Sequence, residues 1–184
     1  MAICGSPRIE GNTEYLLKTV LDEVEKEDIE VELIRLAGKE IQPCKACGHC
    51  TKGQGCSQRD DDFQEIFNTM IEADGIILGT PVYFGSATAQ LMALLQRAGY
   101  VNRRSGNKCF SRKIGAPVVV ARRSGHNFTL AQLMYFFTIS DMVVPGSSYW
   151  NIAIGKDKRD VAEDKEGIET MRNLGKNIAW LLKK

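Results

Sequence analysis

Residues 1–25 read MAICGSPRIEGNTEYLLKTVLDEVE, and this stretch decides the fold. Met1 to Cys4 is a short apolar run that stops at Gly5, as a buried strand stops at a turn. Asn12-Thr13 then opens a helical pattern with Leu16, Leu17, Val20, Leu21 and Val24 on one face. The loop between them offers the hydroxyls of Ser6 and Thr13, the amide of Asn12 and the guanidinium fork of Arg8. Strand, glycine-bearing loop and helix in that order form an anion site, because the first N–H groups of a helix lack intrahelical partners. There is no Gly-Lys-Ser/Thr ending and no Gly-x-Gly-x-x-Gly, so a nucleoside triphosphate loop is excluded. The expectation is a phosphate held by Ser6, Pro7, Arg8, Asn12 and Thr13.

The alternation continues outward. Ile29 to Leu36 has a period of two and predicts a second strand. A helix is expected from about Asp62 to Ala73, with Asp60, Asp61 and Asp62 complementing its positive end. Gly75 to Gly79 reads as a buried strand, Ser86 to about Ala98 as a helix, and the residues up to Lys113 as a basic loop. Ile114 to Ala121 is a strand-like run containing Pro117, and Thr129 to Ile139 is helical. Met142-Val143-Val144 begins a fifth strand region, and a last helix runs from about Asp164 to Leu182. Five strand–helix repeats predict one α/β domain, residues 1–184, with a doubly wound parallel sheet. In such sheets ligands sit beyond the carboxyl ends of the strands.

Two further loops fall at those ends. Pro81-Val82-Tyr83-Phe84-Gly85-Ser86 joins aromatic rings to a turn glycine and a helix-capping Ser86, a combination that can hold the edge and face of a flat heterocycle. Ala121-Arg122-Arg123-Ser124-Gly125-His126-Asn127 is polar and suited to closing over a ligand. His126 is either a donor to a ring carbonyl or an ordinary loop histidine.

Residues 37–60 are irregular and rich in cysteine and glycine. Cys44, Cys47, Cys50 and Cys56 have the spacing C-x2-C-x2-C-x5-C. A [4Fe–4S] cubane needs four thiolates, and a compact C-x2-C-x2-C segment supplies three of them. Structural zinc sites usually separate two C-x2-C pairs, so zinc is the rival reading and free redox thiols a third. Cys4 reads as a small core residue, Cys109 has no assigned role, and His49 is expected in solvent.

Composition fits a globular domain, with 43% apolar and 26% charged residues. No apolar run approaches the roughly 20 residues of a membrane helix, and residues 1–8 do not resemble a signal peptide, so a cytoplasmic location is expected. From Gly75 to Ser140 there is no Asp or Glu but eight basic residues, within a chain of net charge +1. A basic middle favours an anionic ligand or partner. No nucleic-acid motif accompanies it.

Taken together, these motifs resemble the iron–sulfur flavoproteins of anaerobic microbes, within the flavodoxin-like NADPH-dependent FMN reductase superfamily. The resemblance covers nearly the whole chain. Gly5-Ser6-Pro7-Arg8 with Gly11-Asn12-Thr13 is similar to that family's FMN phosphate loop, and residues 81–86 to its isoalloxazine loop. The four spaced cysteines are similar to its cluster motif, and Gly146 to Asn151 also looks like this group. Members usually carry several more residues before the phosphate loop, so a start at an internal methionine is expected, with a first strand of only four residues, roughly 13 Å. The resemblance implies sheet order 2-1-3-4-5, FMN and a [4Fe–4S] cluster as cofactors, and a ferredoxin-like or NAD(P)H electron donor. It also implies a homo-oligomer, dimer or tetramer, in which one subunit's cluster approaches another's FMN. Flavin contacts are expected at Pro81, Val82, Tyr83, Phe84, Gly85, Ser86, Ala121, Arg122 and Ser124. No side chain is expected to act as nucleophile or general base. The rival functions are an NAD(P)H-dependent FMN or quinone reductase with zinc or no metal, and a non-catalytic redox carrier or sensor.

Overall fold

The computed structural model describes residues 1–53 and 55–184; Gln54, inside the cysteine loop, lies outside the described residues. Its strands are β1 (Ala2–Cys4), β2 (Leu33–Arg35), β3 (Gly75–Pro81), β4 (Ile114–Ala121) and β5 (Ile152–Ile154). Its α-helices are α1 (Asn12–Glu25), α2 (Phe63–Glu72), α3 (Ala89–Arg104), α4 (His126–Ile139) and α5 (Lys165–Leu182). The strands form one parallel sheet in the order β2-β1-β3-β4-β5, as expected.

Side-chain alternation divides the core into two layers. Ile3, Ile76, Leu78 and Val119 face one side and pack with α2, α3 and α4 through Phe63, Met70, Leu94 and Phe137. Ala2, Cys4, Ile77, Val118 and Val120 face the other and pack with α1 and α5 through Leu17, Val20, Met171 and Leu174. β1 is short yet wholly buried between β2 and β3, and burial pushes the Cys4 thiol to about 11. Cys4 is a core residue, as expected.

Four boundaries differ from the sequence reading. β2 keeps only Leu33–Arg35 of the expected 29–36, because the chain reaches the short β1 only there. α3 begins at Ala89 and runs to Arg104, so Arg103 and Arg104 lie in its last turn, where cations complement the negative end of the helix dipole, rather than in a loop. α4 starts three residues early, at His126. The fifth strand is not at Met142. Val143 makes one parallel bridge to Ile114, Pro145 follows, and pairing resumes at Ile152. The gap explains how Pro117 sits inside a central strand. Gly115 donates outward to the Val143 carbonyl and Val119 to the Asn151 carbonyl, so the N–H that Pro117 lacks would have pointed into the break. Among the described residues, no helix is long and apolar enough to cross a membrane.

Candidate functional site

The chain runs from β1 outward to β2 and then crosses to β3 on the other side, so the β1 and β3 ends form a topological switch point. Three loops meet there. In the first, Gly5 N–H donates to the Gly79 carbonyl (2.8 Å) and the buried Ser6 Oγ accepts from Arg8 N–H (3.1 Å), which folds the loop into a tight turn. The α1 N-terminus has Gly11 at its cap and no side-chain bond to its leading N–H groups. Those donors stay available for an anion. Thr13 is buried at the same helix start.

The side chain of Asn12 is committed elsewhere. Its amide donates to the Asp157 carbonyl (2.9 Å) and accepts from Val161 N–H (3.4 Å), so what it offers a ligand is its backbone. Arg8 likewise reaches the Lys156 carbonyl (3.2 Å), and Lys158 bonds Glu10 (3.1 Å). Residues 155–160 therefore form a fourth wall beside the phosphate loop that the sequence reading did not identify. The basic run Lys156, Lys158, Arg159 was its only signal.

The second loop turns back on itself. Tyr83 N–H and Ser86 N–H each donate to the other residue's carbonyl (2.9 and 3.1 Å), closing a two-residue hairpin. Phe84 and Gly85, at its tip, both take positive φ (50° and 76°). A phenylalanine held left-handed with its ring wholly in solvent is costly and points to function. Ser86 does not cap α3, contrary to expectation: its hydroxyl donates to Gln132 on α4 (3.0 Å), and the cap position is Thr88. Thr88 instead donates to the Gly5 carbonyl (2.7 Å), tying the second loop's exit to the first loop.

The third loop lies against the second. A Cβ on Gly125, at φ +93°, would stand 2.7 Å from Val82 Cγ1, so the approach requires glycine. Ala121 is buried, while Arg122 and Ser124 are exposed. His126 is not a loop residue: it opens α4, is buried, and its Nε2 lies 3.0 Å from the Ala153 carbonyl.

The cysteine loop lies apart from this crest, on the flank of α3. Gln90 donates to the Lys39 carbonyl, and two turns further along Arg97 donates to that of Gln42. Cys44, Cys47, Cys50 and Cys56 all line one cavity of about 250 Å³, together with Arg97, Tyr100, Val101 and Arg104. None of the four is in a disulfide. Left-handed backbone at Ala46, Gly48, Gly53 and Gly55 winds the loop around them, with a short 3-10 turn over His49–Lys52. Ala46 N–H donates to Cys44 Sγ (3.4 Å), and Cys47 Sγ lies 3.3 Å from the Ser57 hydroxyl. That hydroxyl, then the His49 N–H, holds the Cys47 thiol below its usual range. His49 itself is half-buried rather than in solvent. Among the described residues the sulfurs do not converge as a group around a single ion. Four cysteine sulfurs spread around one cavity, with backbone N–H groups on sulfur, suit the separate corners of a cubane.

Beneath the cavity lies the buried ion pair of Arg97 and Asp61. Burial opposes the Asp61 charge most strongly, but the bonds from Arg97 and from Gln42 and Phe63 N–H outweigh it, and its carboxyl stays below the usual range. Asp61 and Asp62 thus mainly anchor the cysteine loop, Asp62 through Lys39 and Glu40 N–H, rather than simply neutralise the start of α2. The sequence reading missed Arg97. Its signal was a lone charge at helical spacing among Leu94, Ala98 and Val101.

Residues 1–157 match the NADPH-dependent FMN reductase family. An iron–sulfur flavoprotein of Methanocaldococcus jannaschii is 42% identical over 190 residues, covering 100% of this chain and 96% of that one. The chain belongs to the iron–sulfur flavoproteins of the FMN reductase family. A second iron–sulfur flavoprotein, from Methanosarcina thermophila, is 32% identical over 188 residues and covers 98% and 93% of the two chains. Among solved structures, RosB with a bound flavin-phosphate intermediate aligns with TM-score 0.77 at 16% identity, over 99% of this chain and 77% of that one. An archaeal flavodoxin aligns with TM-score 0.64 at 14% identity, over 100% and 97%. These last two likenesses are of fold. Family membership makes this chain a flavin-dependent oxidoreductase.

Proposed function

We propose that this flavoprotein holds FMN at the loop crest and a [4Fe–4S] cluster on Cys44, Cys47, Cys50 and Cys56, and moves electrons between a one-electron donor and a small acceptor. The observation that carries the reading is the pairing of two built sites: four cysteines around one cavity, and an uncapped helix start framed by Ser6 and Arg8. Flavin handles one or two electrons and the cluster one at a time, so together they convert single electrons into pairs. The chain's own residues bind and orient. The α1 N–H groups, Ser6, Thr13 and Arg8 hold the phosphate end; Tyr83, Phe84 and the hairpin backbone frame the ring; residues 121–125 close the side.

A ferredoxin-like protein is the proposed donor. Arg104 lines the cysteine cavity and Tyr100 stands half in solvent beside it, a basic and aromatic rim on which an acidic carrier can seat. Along α3 the crest and the cavity are separated by roughly 12–16 Å of helix. A homo-oligomer that sets one subunit's cavity against another's crest shortens that path, and the exposed aromatics Phe128, Tyr135 and Trp150 offer contact area for one. Stopped-flow mixing of anoxic protein separates the donors. Reduced ferredoxin is expected to bleach the flavin faster than NADPH does; the reverse order would make the chain a pyridine-nucleotide reductase.

A further inference from the structure

Arg97 is 1% exposed, and its guanidinium is used in an unusual way. One nitrogen donates to Asp61 and to the Gln42 carbonyl (3.2 Å), another to the Gln58 carbonyl (2.9 Å), and the plane lies 3.9 Å from the centroid of the Phe63 ring. Gln42 stands two residues before Cys44, and Gln58 two residues after Cys56. One side chain thus clamps both ends of the cysteine loop.

Of the two remaining N–H groups, Nε–H is buried without a partner. Leaving such a group unmade is costly unless something else meets it. Arg97 lines the cavity with all four cysteines, whereas Asp61 lies outside that lining and shares the neighbouring hollow with Cys47, Gln58 and Asp60. Arg97 is therefore the member of the ion pair that reaches the cavity common to all four sulfurs. A cluster on four thiolates is anionic and becomes more so on reduction, and its potential follows net charge and hydrogen bonding around the sulfurs.

We propose that Arg97 is a positioning residue for the iron–sulfur cluster, which closes the cysteine loop and presents buried positive charge to the thiolates, thereby raising the cluster's reduction potential. This rests on the cluster assignment above. A surface cation is screened by water; this one is not. A purely structural role would not need the charge, because buried ion pairs are often replaced by neutral groups without loss of stability.

The test compares wild type with Arg97→Lys and with the double variant Arg97→Gln/Asp61→Asn, which removes both charges and keeps polar groups in place. All three are prepared without oxygen and measured for iron per chain, FMN per chain and cluster midpoint potential. The double variant is expected to keep FMN while its cluster becomes about tenfold harder to reduce, a fall of ~59 mV for one electron. Loss of iron with FMN retained supports the clamp equally. Arg97→Lys, with the charge but not the fork, is expected to hold iron less firmly and to keep a potential nearer wild type; if the double variant does not fold, this variant's iron content decides. Unchanged iron and potential in the variants would overturn the role of Arg97 alone. Wild-type protein that takes up no iron would overturn the cluster assignment instead.

Discussion

At the scale of single residues, the phosphate loop is braced by a carboxylate the sequence reading passed over. Glu14 is buried at the start of α1 and bonds both Nε and an outer nitrogen of Arg35 (2.9 and 2.7 Å), Lys18, and Glu10 N–H. The Arg35 bonds, opposed by burial, hold its carboxyl at about 2, against the ordinary 4.5. A lowered carboxylate pKa stabilises the fold above the unfolded value and loses that contribution as pH falls through the folded one. Stability should therefore decline from about pH 4.5 toward 2, by up to about 3 kcal/mol for this group. Glu14→Gln should flatten that acid limb, read from urea midpoints at pH 3 and pH 6; an unchanged slope would show that other carboxylates dominate. Packing sets a second residue-scale expectation. A Cβ on Gly115 would stand 2.3 Å from the Phe137 ring, so Gly115→Ala should cost about 1–3 kcal/mol in denaturant titrations. Residues of this kind are not legible in a sequence, because a glycine kept for clearance looks like one kept for a turn.

At the scale of elements, the legible parts were those with strong local patterns. The five helices were legible, the first with its apolar face, and the cysteine loop followed from its spacing alone. What failed was set by non-local pairing. The run Met142–Val144 has strand-forming residues, yet it makes a single bridge before Pro145, and the fifth strand forms only where Ile152 meets Val119. Ser86 has the chemistry of a cap, but Gln132 on a distant helix claims it. The cysteine loop and the crest are held by separate contacts, the first by Arg97 and Asp61 and the second by Gly5, Thr88 and Asn12. Cys50→Ser should therefore abolish cluster absorbance while FMN binding stays within about twofold of wild type. Loss of both would show that the two elements depend on each other.

At the scale of the molecule, α4 is the element that a single copy leaves unfinished. Residues 128–140 carry no charge, and Phe128, Tyr135 and Ile139 are exposed, beside Tyr149 and Trp150. A helix apolar on every side is normally covered. Tyr135→Lys should shift the protein toward monomer in sedimentation without loss of helical signal; an unshifted distribution would place any subunit contact elsewhere. The central claim is that one chain carries both redox groups at once. Protein purified without oxygen should show flavin absorbance with a broad iron–sulfur shoulder near 400 nm, and close to one FMN and about four irons per chain. Flavin alone, with zinc or no metal on the cysteines after reconstitution with iron and sulfide, would contradict it.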